Sequence, residues 1–531
     1  MNGKRARVAS VHGVVSAAHP QAAQAGARIL REGGNAFDAI AATAAALNVG
    51  EPYMSGLAGM GMATAYIASE KRVRTLDFIT KVPSKLPVEK FKNREDLHRG
   101  PLACSTPGNL AGWCELVQTY GRKSLKEVFA PAIELARDGV VLTEFNETKF
   151  NGESADLKKY PFYDEWNRNY TGGKGSVKAG QVLKQTDLAR TYEAIVAEGP
   201  GYLHGGKLGQ ALIARSKELG GCLTMDDLMA VKPEWLDPVA AEYRGMTVYT
   251  LPPPCEAFQY LLTLRILDGF DIGRLERDGV EHLDLVYRAI RLAASVRIEF
   301  NNPTPKKLKE MLSDTFVAKL RKRVADGKPI DALTEQWAPK PIDERKEHTT
   351  SFSAADKFGN VVCLTQSLGA GFGCGVVVPN TGVCLNNFLY WGEIDPRGTN
   401  FMRPGGPLAL PMAPSVGLRK GKPVMALGTP GSYGICQTQI QTLVQHVDFG
   451  LPMQEAIDAP RARLWDGRKI QVEGRIPQER IEALRRRGHD IEAVAPWTMT
   501  VGGMHGISID PASGAMTGGC DPRRDGFVAT A

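Results

Sequence analysis

Thr349 lies in the run His348-Thr349-Thr350-Ser351-Phe352-Ser353, and its chemistry depends on whether it stays inside the chain or becomes the start of one. A threonine hydroxyl is a poor nucleophile by itself, but a threonine with a free α-amino group carries its own general base. Scission of the His348–Thr349 bond would create that pair in one step. On these six residues alone an ordinary β-strand threonine reads the same way, so support has to come from the rest of the chain.

A second group with chemical potential is Gly428-Thr429-Pro430-Gly431-Ser432-Tyr433-Gly434, between a strand-like and a helix-like segment. Small residues there can leave backbone N–H groups pointing into a cavity, which suits an oxyanion. A tight turn with glycines for steric reasons fits the pattern equally well. Ser432 is not a nucleophile elbow, because Pro430 stands where G-x-S-x-G has its first glycine. Gly369-Ala370-Gly371-Phe372-Gly373-Cys374 fails as a dinucleotide loop, since Cys374 takes the place of the last glycine and no helix follows. No histidine pair has metal-ligand spacing, so metal catalysis is not supported.

These groups need a rigid frame. Alternation after Thr349, a turn at Asp356-Lys357-Phe358-Gly359-Asn360 and the run Val361-Val362-Cys363-Leu364-Thr365-Gln366-Ser367 predict a hairpin with the nucleophile at its first residue. Residues 20–31 and 36–47 read as helices, with Asn35 as N-cap and Asp38 completing a capping box. The second is rich in alanine nearly all round, which predicts burial between layers. Strands are expected at 63–68, 73–79, 375–379, 383–388 and 423–428, with helices at 434–447, 453–458 and 477–488 and a closing hairpin of 504–510 with 515–520. The middle, residues 100–300, reads as mainly helical, and 319–346 as a polar linker just before Thr349. Sheets towards both ends with helices between them predict a layered sandwich.

Composition excludes several classes. With 43% hydrophobic and 23% charged residues, the chain has ordinary globular composition, and no stretch approaches a membrane span. The net charge of +7 is not gathered into an aromatic-interleaved stripe, which argues against nucleic acid; Arg485-Arg486-Arg487 reads as a solvated helix end. Nine scattered cysteines without a C-x-x-C pair read as reduced buried thiols. The basic start, Met1-Asn2-Gly3-Lys4-Arg5, is not followed by an apolar signal core, so a cytoplasmic location is expected.

The order of the motifs adds what none of them carries alone. Gly13-Val14-Val15-Ser16-Ala17-Ala18-His19-Pro20, Arg31-Glu32-Gly33-Gly34-Asn35-Ala36, the glycine-rich 55–61 and Leu76-Asp77-Phe78 are followed by Thr349-Thr350, Asp356-Lys357-Phe358-Gly359-Asn360 and Leu385-Asn386-Asn387. Met412-Ala413-Pro414, Gly428-Thr429-Pro430-Gly431, Ala459-Pro460-Arg461 and Asp521-Pro522-Arg523 complete the set. Over nearly its whole length the chain resembles the gamma-glutamyltransferase family of N-terminal nucleophile hydrolases. That resemblance implies an α+β fold, a four-layer αββα sandwich, and self-cleavage into a large fragment 1–348 and a small catalytic fragment 349–531 that stay together. It also implies Thr349 as nucleophile, Ser367 as the hydroxyl that hydrogen-bonds it, and the N–H groups of Gly431 and Ser432 as oxyanion hole.

The positions by which relatives hold a glutamyl head group differ. Ile79 stands where such members have an arginine, Leu410 and Pro411 where they have two serines, and Gly369, Phe388 and Trp391 where they have asparagine, glutamine and aspartate. Burying a zwitterion against these residues would cost several kcal/mol. The resemblance therefore points to an amide hydrolase or acyltransferase with another small acyl substrate, as in the cephalosporin acylase and oxamate amidohydrolase branches. Phe388, Tyr390 and Trp391 suit an apolar or aromatic acyl chain or serve as lid packing, and Arg403 either pairs with a substrate carboxylate or is a surface arginine. A genuine gamma-glutamyltransferase, a homologue that breaks a carbon–carbon bond, and a non-enzymatic relative that never cuts itself remain alternatives. No cofactor is needed, and association into a homo-oligomer stays open.

Overall fold

A computed structural model describes residues 7–330, 348–465 and 468–531. The hairpin at its centre pairs His348–Asp356 with Val361–Gly369. Its turn is closed by Asp356, whose Oδ1 accepts from the N–H groups of Phe358 at 2.8 Å and Asn360 at 3.0 Å. The other carboxylate oxygen accepts from Ala36 N at 2.7 Å, which ties the turn to the first residue of the Ala36–Gly50 helix.

This hairpin is the middle of a seven-stranded sheet in the order Phe527–Thr530, Gly13–Ala17, His348–Asp356, Val361–Gly369, Met60–Ile67, Arg72–Phe78, Glu234–Leu236. A second seven-stranded sheet runs Val8–Ser10, Met516–Cys520, His505–Ile509, Lys422–Gly428, Ser415–Arg419, Met246–Thr250, Val239–Tyr243. All neighbours within both sheets are antiparallel. The sheets face each other across a thin apolar layer that includes Val14, Ala355 and Cys363 from the first and Val416, Ala426 and Ile507 from the second. Helices Pro20–Arg31 and Ala36–Gly50 cover the first sheet, while Phe258–Leu267, Ile435–Val447 and Met453–Asp458 cover the second. The result is the four-layer αββα sandwich.

The alanine-rich helix is longer than expected, reaching Gly50, and all of its residues are buried. Small side chains on every face let it sit between the sheet and three other helices, Pro20–Arg31, Asn109–Tyr120 and Leu125–Asp138. The capping box forms as read, with Asn35 Oδ1 accepting from Asp38 N at 3.1 Å and Asp38 Oδ2 accepting from Asn35 N at 2.9 Å.

Other readings need correction. The polar stretch 319–346 is not a linker at its start, because Asp314–Ala325 is a helix that buries Val317, Leu320 and Val324; residues 331–346 lie outside the described residues. The helical middle also contains the strands Glu234–Leu236, Val239–Tyr243 and Met246–Thr250. The strand expected over 383–388 stops at Cys384, and Phe388–Trp391 is a single 3₁₀ turn. Strands Gly13–Ala17, Ser415–Arg419 and Phe527–Thr530 were not legible locally. Arg487 pairs with Glu281 at 2.5 Å and Asp284 at 3.2 Å, in keeping with a solvated helix end. The nine cysteines are free thiols, eight of them buried. Among the described residues no helix is long and apolar enough to cross a membrane, and no cluster of three or more His, Cys, Asp or Glu could hold a metal.

Candidate active site

Strand pairing skips at Thr349. His348 faces Gly369 and Thr350 faces Gln366, so Thr349 alone lies opposite Ser367 and Leu368, a β-bulge that re-aims the side chains there. Thr349 Oγ1 donates to Ser367 Oγ at 3.2 Å, and Ser367 in turn donates its proton to the carbonyl oxygen of His348 at 2.6 Å. Gly369 N donates to the same serine oxygen at 2.8 Å. The serine hydroxyl is thus fully used, with one proton given and both lone pairs filled. It orients the threonine hydroxyl and polarises the carbonyl of the bond that precedes it.

The second sheet brings the glycine-rich turn 428–434. Lys422–Gly428 runs towards Thr349, and the chain then turns through Ser432–Gly434 into the helix Ile435–Val447. Gly428 permits the approach, because a Cβ there would lie 2.1 Å from Ser351 Oγ. Gly431 has φ +124° and Ser432 φ +50°, so both lie in the left-handed region. For Ser432 this conformation is uncommon. Its Oγ is buried and has no hydrogen-bond partner among the described residues. Thr429 fixes the turn from behind by accepting from Gly503 N at 3.2 Å.

Between these elements lies a narrow cleft lined by His348, Thr349, Ser367, Gly369 and Ser432 together with Phe388, Trp391, Leu410, Pro411, Met412 and Ile435. Among the described residues, His348 is its single basic lining side chain and no acidic one contributes. The apolar wall is rigid. Asn386 Oδ1 accepts from Ser105 Oγ at 2.8 Å, Asn387 Oδ1 accepts from Ala370 N at 2.7 Å, and these bonds anchor the turn that carries Phe388 and Trp391. Arg94 lies over the rings of Tyr390 and Trp391 at 4.9 and 5.3 Å and also donates to the Tyr390 carbonyl.

Of the residues read from sequence, Thr349, Ser367, Ser432, Gly369, Phe388, Trp391 and Leu410 meet at this cleft, while Gly431, the residue before Ser432, does not line it. Ile79 and Arg403 do not line it. Ile79 follows the end of its strand, where its N–H is taken by Asp77 Oδ1 at 2.7 Å, and its side chain packs into the apolar layer under the second sheet. Arg403 is exposed on a turn closed by Gly406 N donating to its carbonyl at 2.8 Å.

The motifs Ala459-Pro460-Arg461 and Asp521-Pro522-Arg523 meet in a buried ionic network rather than in the cleft. Arg461 pairs with Asp521 at 2.5 Å, and Arg523 pairs with both Asp521 at 3.0 Å and Glu473 at 2.6 Å. Despite burial, the two arginines hold the Asp521 carboxyl far below the usual range. Sequence reading missed Arg524, which donates to the Thr349 carbonyl at 2.8 Å, and the buried Glu51. The one local signal was a second arginine directly after the Asp-Pro-Arg motif.

A four-layer αββα sandwich with a strand-borne threonine at the head of its central hairpin defines the N-terminal nucleophile hydrolase class of amide hydrolases and acyltransferases. The sequence profile of the family described as gamma-glutamyltranspeptidase matches residues 22–531, and the chain belongs to that family. It is 33% identical to the acylase ACY 1 proenzyme of Pseudomonas sp. (strain SE83), over 97% of this chain and 92% of the relative. It is 29% identical to the glutathione hydrolase proenzyme of Bacillus subtilis (strain 168), over 97% and 90% respectively. The crystal structure of cephalosporin acylase from Bacillus halodurans superposes with a TM-score of 0.92 at 29% identity, covering 100% of this chain and 98% of that one.

Proposed function

We propose that this protein is a self-processing threonine amidohydrolase that acts on the amide of a small acyl group without a charged amino-acid head. The observation that carries the reading is the single serine hydroxyl joining Thr349 Oγ1 to the carbonyl oxygen of His348. In the uncut chain Thr349 Oγ attacks the His348 carbonyl carbon, the peptide nitrogen leaves as the Thr349 amine, and water hydrolyses the resulting ester. The new amine then accepts the hydroxyl proton, Oγ attacks the substrate amide carbon, and the N–H groups of Gly431 and Ser432 hold the oxyanion. The proton passes to the leaving amine, and water releases the acyl group.

Both sheets draw strands from each side of the cut. In the first, Gly13–Ala17 and Met60–Ile67 flank the hairpin that begins at His348, so fragments 1–348 and 349–531 would share a continuous sheet and stay associated. The acyl preference rests on the wall of Phe388, Trp391, Leu410, Pro411, Met412 and Ile435, which offers an α-carboxylate no cationic partner.

Intact mass spectrometry of the purified protein beside Thr349→Ala tests the reading. Two fragments that meet before Thr349 are expected for the wild type and one whole chain for the variant; an uncut, active wild type would exclude it.

A further inference from the structure

The nucleophile's strand is open on one side. His348–Asp356 pairs with Gly13–Ala17 only from Ser353 to Asp356, so the residues before Ser353 have a ladder neighbour on the Val361–Gly369 side alone. A backbone carbonyl left at such an edge, buried away from water, needs another donor. Arg524 supplies it. Its Nη1 donates to the Thr349 carbonyl at 2.8 Å and lies 3.5 Å from Met54 Sδ.

The place is built for that side chain. Gly503, which also donates to Thr429 behind the oxyanion turn, would put a Cβ 2.5 Å from Arg524 Cδ, so only glycine leaves room. Arg524 is itself buried, and its Nε has no hydrogen-bond partner among the described residues. The carboxylates that act on it are Glu51 and Asp521. Glu51 is the C-cap of the Ala36–Gly50 helix and is buried, and the turn it starts is stitched to the serine-bearing strand by Leu368 N donating to Met54 O at 3.2 Å. A guanidinium so placed costs several kcal/mol to bury, and the aliphatic residues that fill the layers around it would pack without that cost.

We propose that Arg524 is a positioning residue: it holds the main chain of Thr349 at the open strand edge and so fixes the angle between the threonine hydroxyl and the carbonyl it attacks. The inference rests on the self-processing reading above. It adds a contact on the opposite side of Thr349 from Ser367, made by the C-terminal segment of the small fragment.

Self-cleavage uses the chain as its own substrate, so its rate is the test. Arg524→Lys keeps a charged donor, whereas the double variant Arg524→Met with Glu51→Gln removes the donor and the two opposed charges together. The double variant is expected to melt cooperatively near the wild type yet cut at least about ten-fold more slowly, because small misplacements of reacting groups are costly. Arg524→Lys is expected to recover most of the rate. A double variant that melts with the wild type and cuts at its rate overturns the proposal, as does one whose slow cutting merely tracks lost cooperative melting. If the wild type itself stays whole, the self-processing reading is what fails.

Discussion

Ser367 and His348 are joined by a 2.6 Å hydrogen bond in which the serine hydroxyl donates to the carbonyl that the proposed self-cleavage would attack. Because that hydroxyl has one proton, Thr349 Oγ1 is left to donate to it, and one serine oxygen links the threonine hydroxyl to that carbonyl. Removing the hydroxyl with Ser367→Ala should leave the fold intact and slow self-cleavage about 10²-fold, the usual worth of one oxyanion donor. A time course of intact mass after purification measures it, and an unchanged rate would remove Ser367 from the mechanism.

Acyl selectivity follows from the wall opposite Thr349. Phe388, Trp391 and Leu410 are buried, and His348 is the one basic side chain among the described lining residues. A phenylacetyl anilide should be turned over with kcat/KM at least about ten-fold above that of a gamma-glutamyl anilide, since leaving a charge unpaired costs more than 1.4 kcal/mol. The opposite preference would favour the glutathione hydrolase alternative.

Ser432 combines a left-handed backbone with a buried hydroxyl that meets no partner. Glycine at this position removes both penalties and keeps the N–H. Ser432→Gly should raise stability by about 1 kcal/mol and leave self-cleavage in place, as thermal melting and a denaturing gel would show. A loss of stability would mean that the hydroxyl has a bound partner in solution.

Glu51 gives stability a pH dependence of definite sign. Burial is the larger influence and raises its carboxyl from 4.5 to about 7, with the Arg524 charge and the Thr350 hydroxyl pulling it back. A folded value above the unfolded one means that the folded chain binds the extra proton. The resulting contribution is full below pH 4.5 and is lost as pH rises through about 7, a swing of about 3 kcal/mol. Glu51→Gln should therefore gain on the wild type as pH rises across that window, read from melts at several pH values, whereas a constant difference would place the carboxyl in a more polar setting.

Much of the frame was legible because it is local. Pro20–Arg31 follows from its proline start and apolar spacing, the Asn35–Asp38 box needs four consecutive residues, and the central hairpin needs only alternation and an Asp-x-x-Gly-Asn turn. Gly13–Ala17 and Phe527–Thr530 were missed because the first is buried on both faces and shows no alternation, the second is only four residues long, and both are held in place by partners distant in sequence. Ile79 was placed at the site by correspondence with relatives, yet a strand end carries it elsewhere, and of the two readings of Arg403 the exposed turn fits the surface arginine.

By itself the sequence determined which residue types could react: a threonine able to become a terminus, a hydroxyl eighteen positions later, and two successive N–H groups in a glycine turn. Only the tertiary structure decided that Ser367 would grip the carbonyl before Thr349 while Arg524, 175 residues away, grips the one after it. Backbone carbonyls are identical in every residue, so which of them a folded chain leaves open at a strand edge depends on where neighbouring strands stop, and that is set by packing between layers.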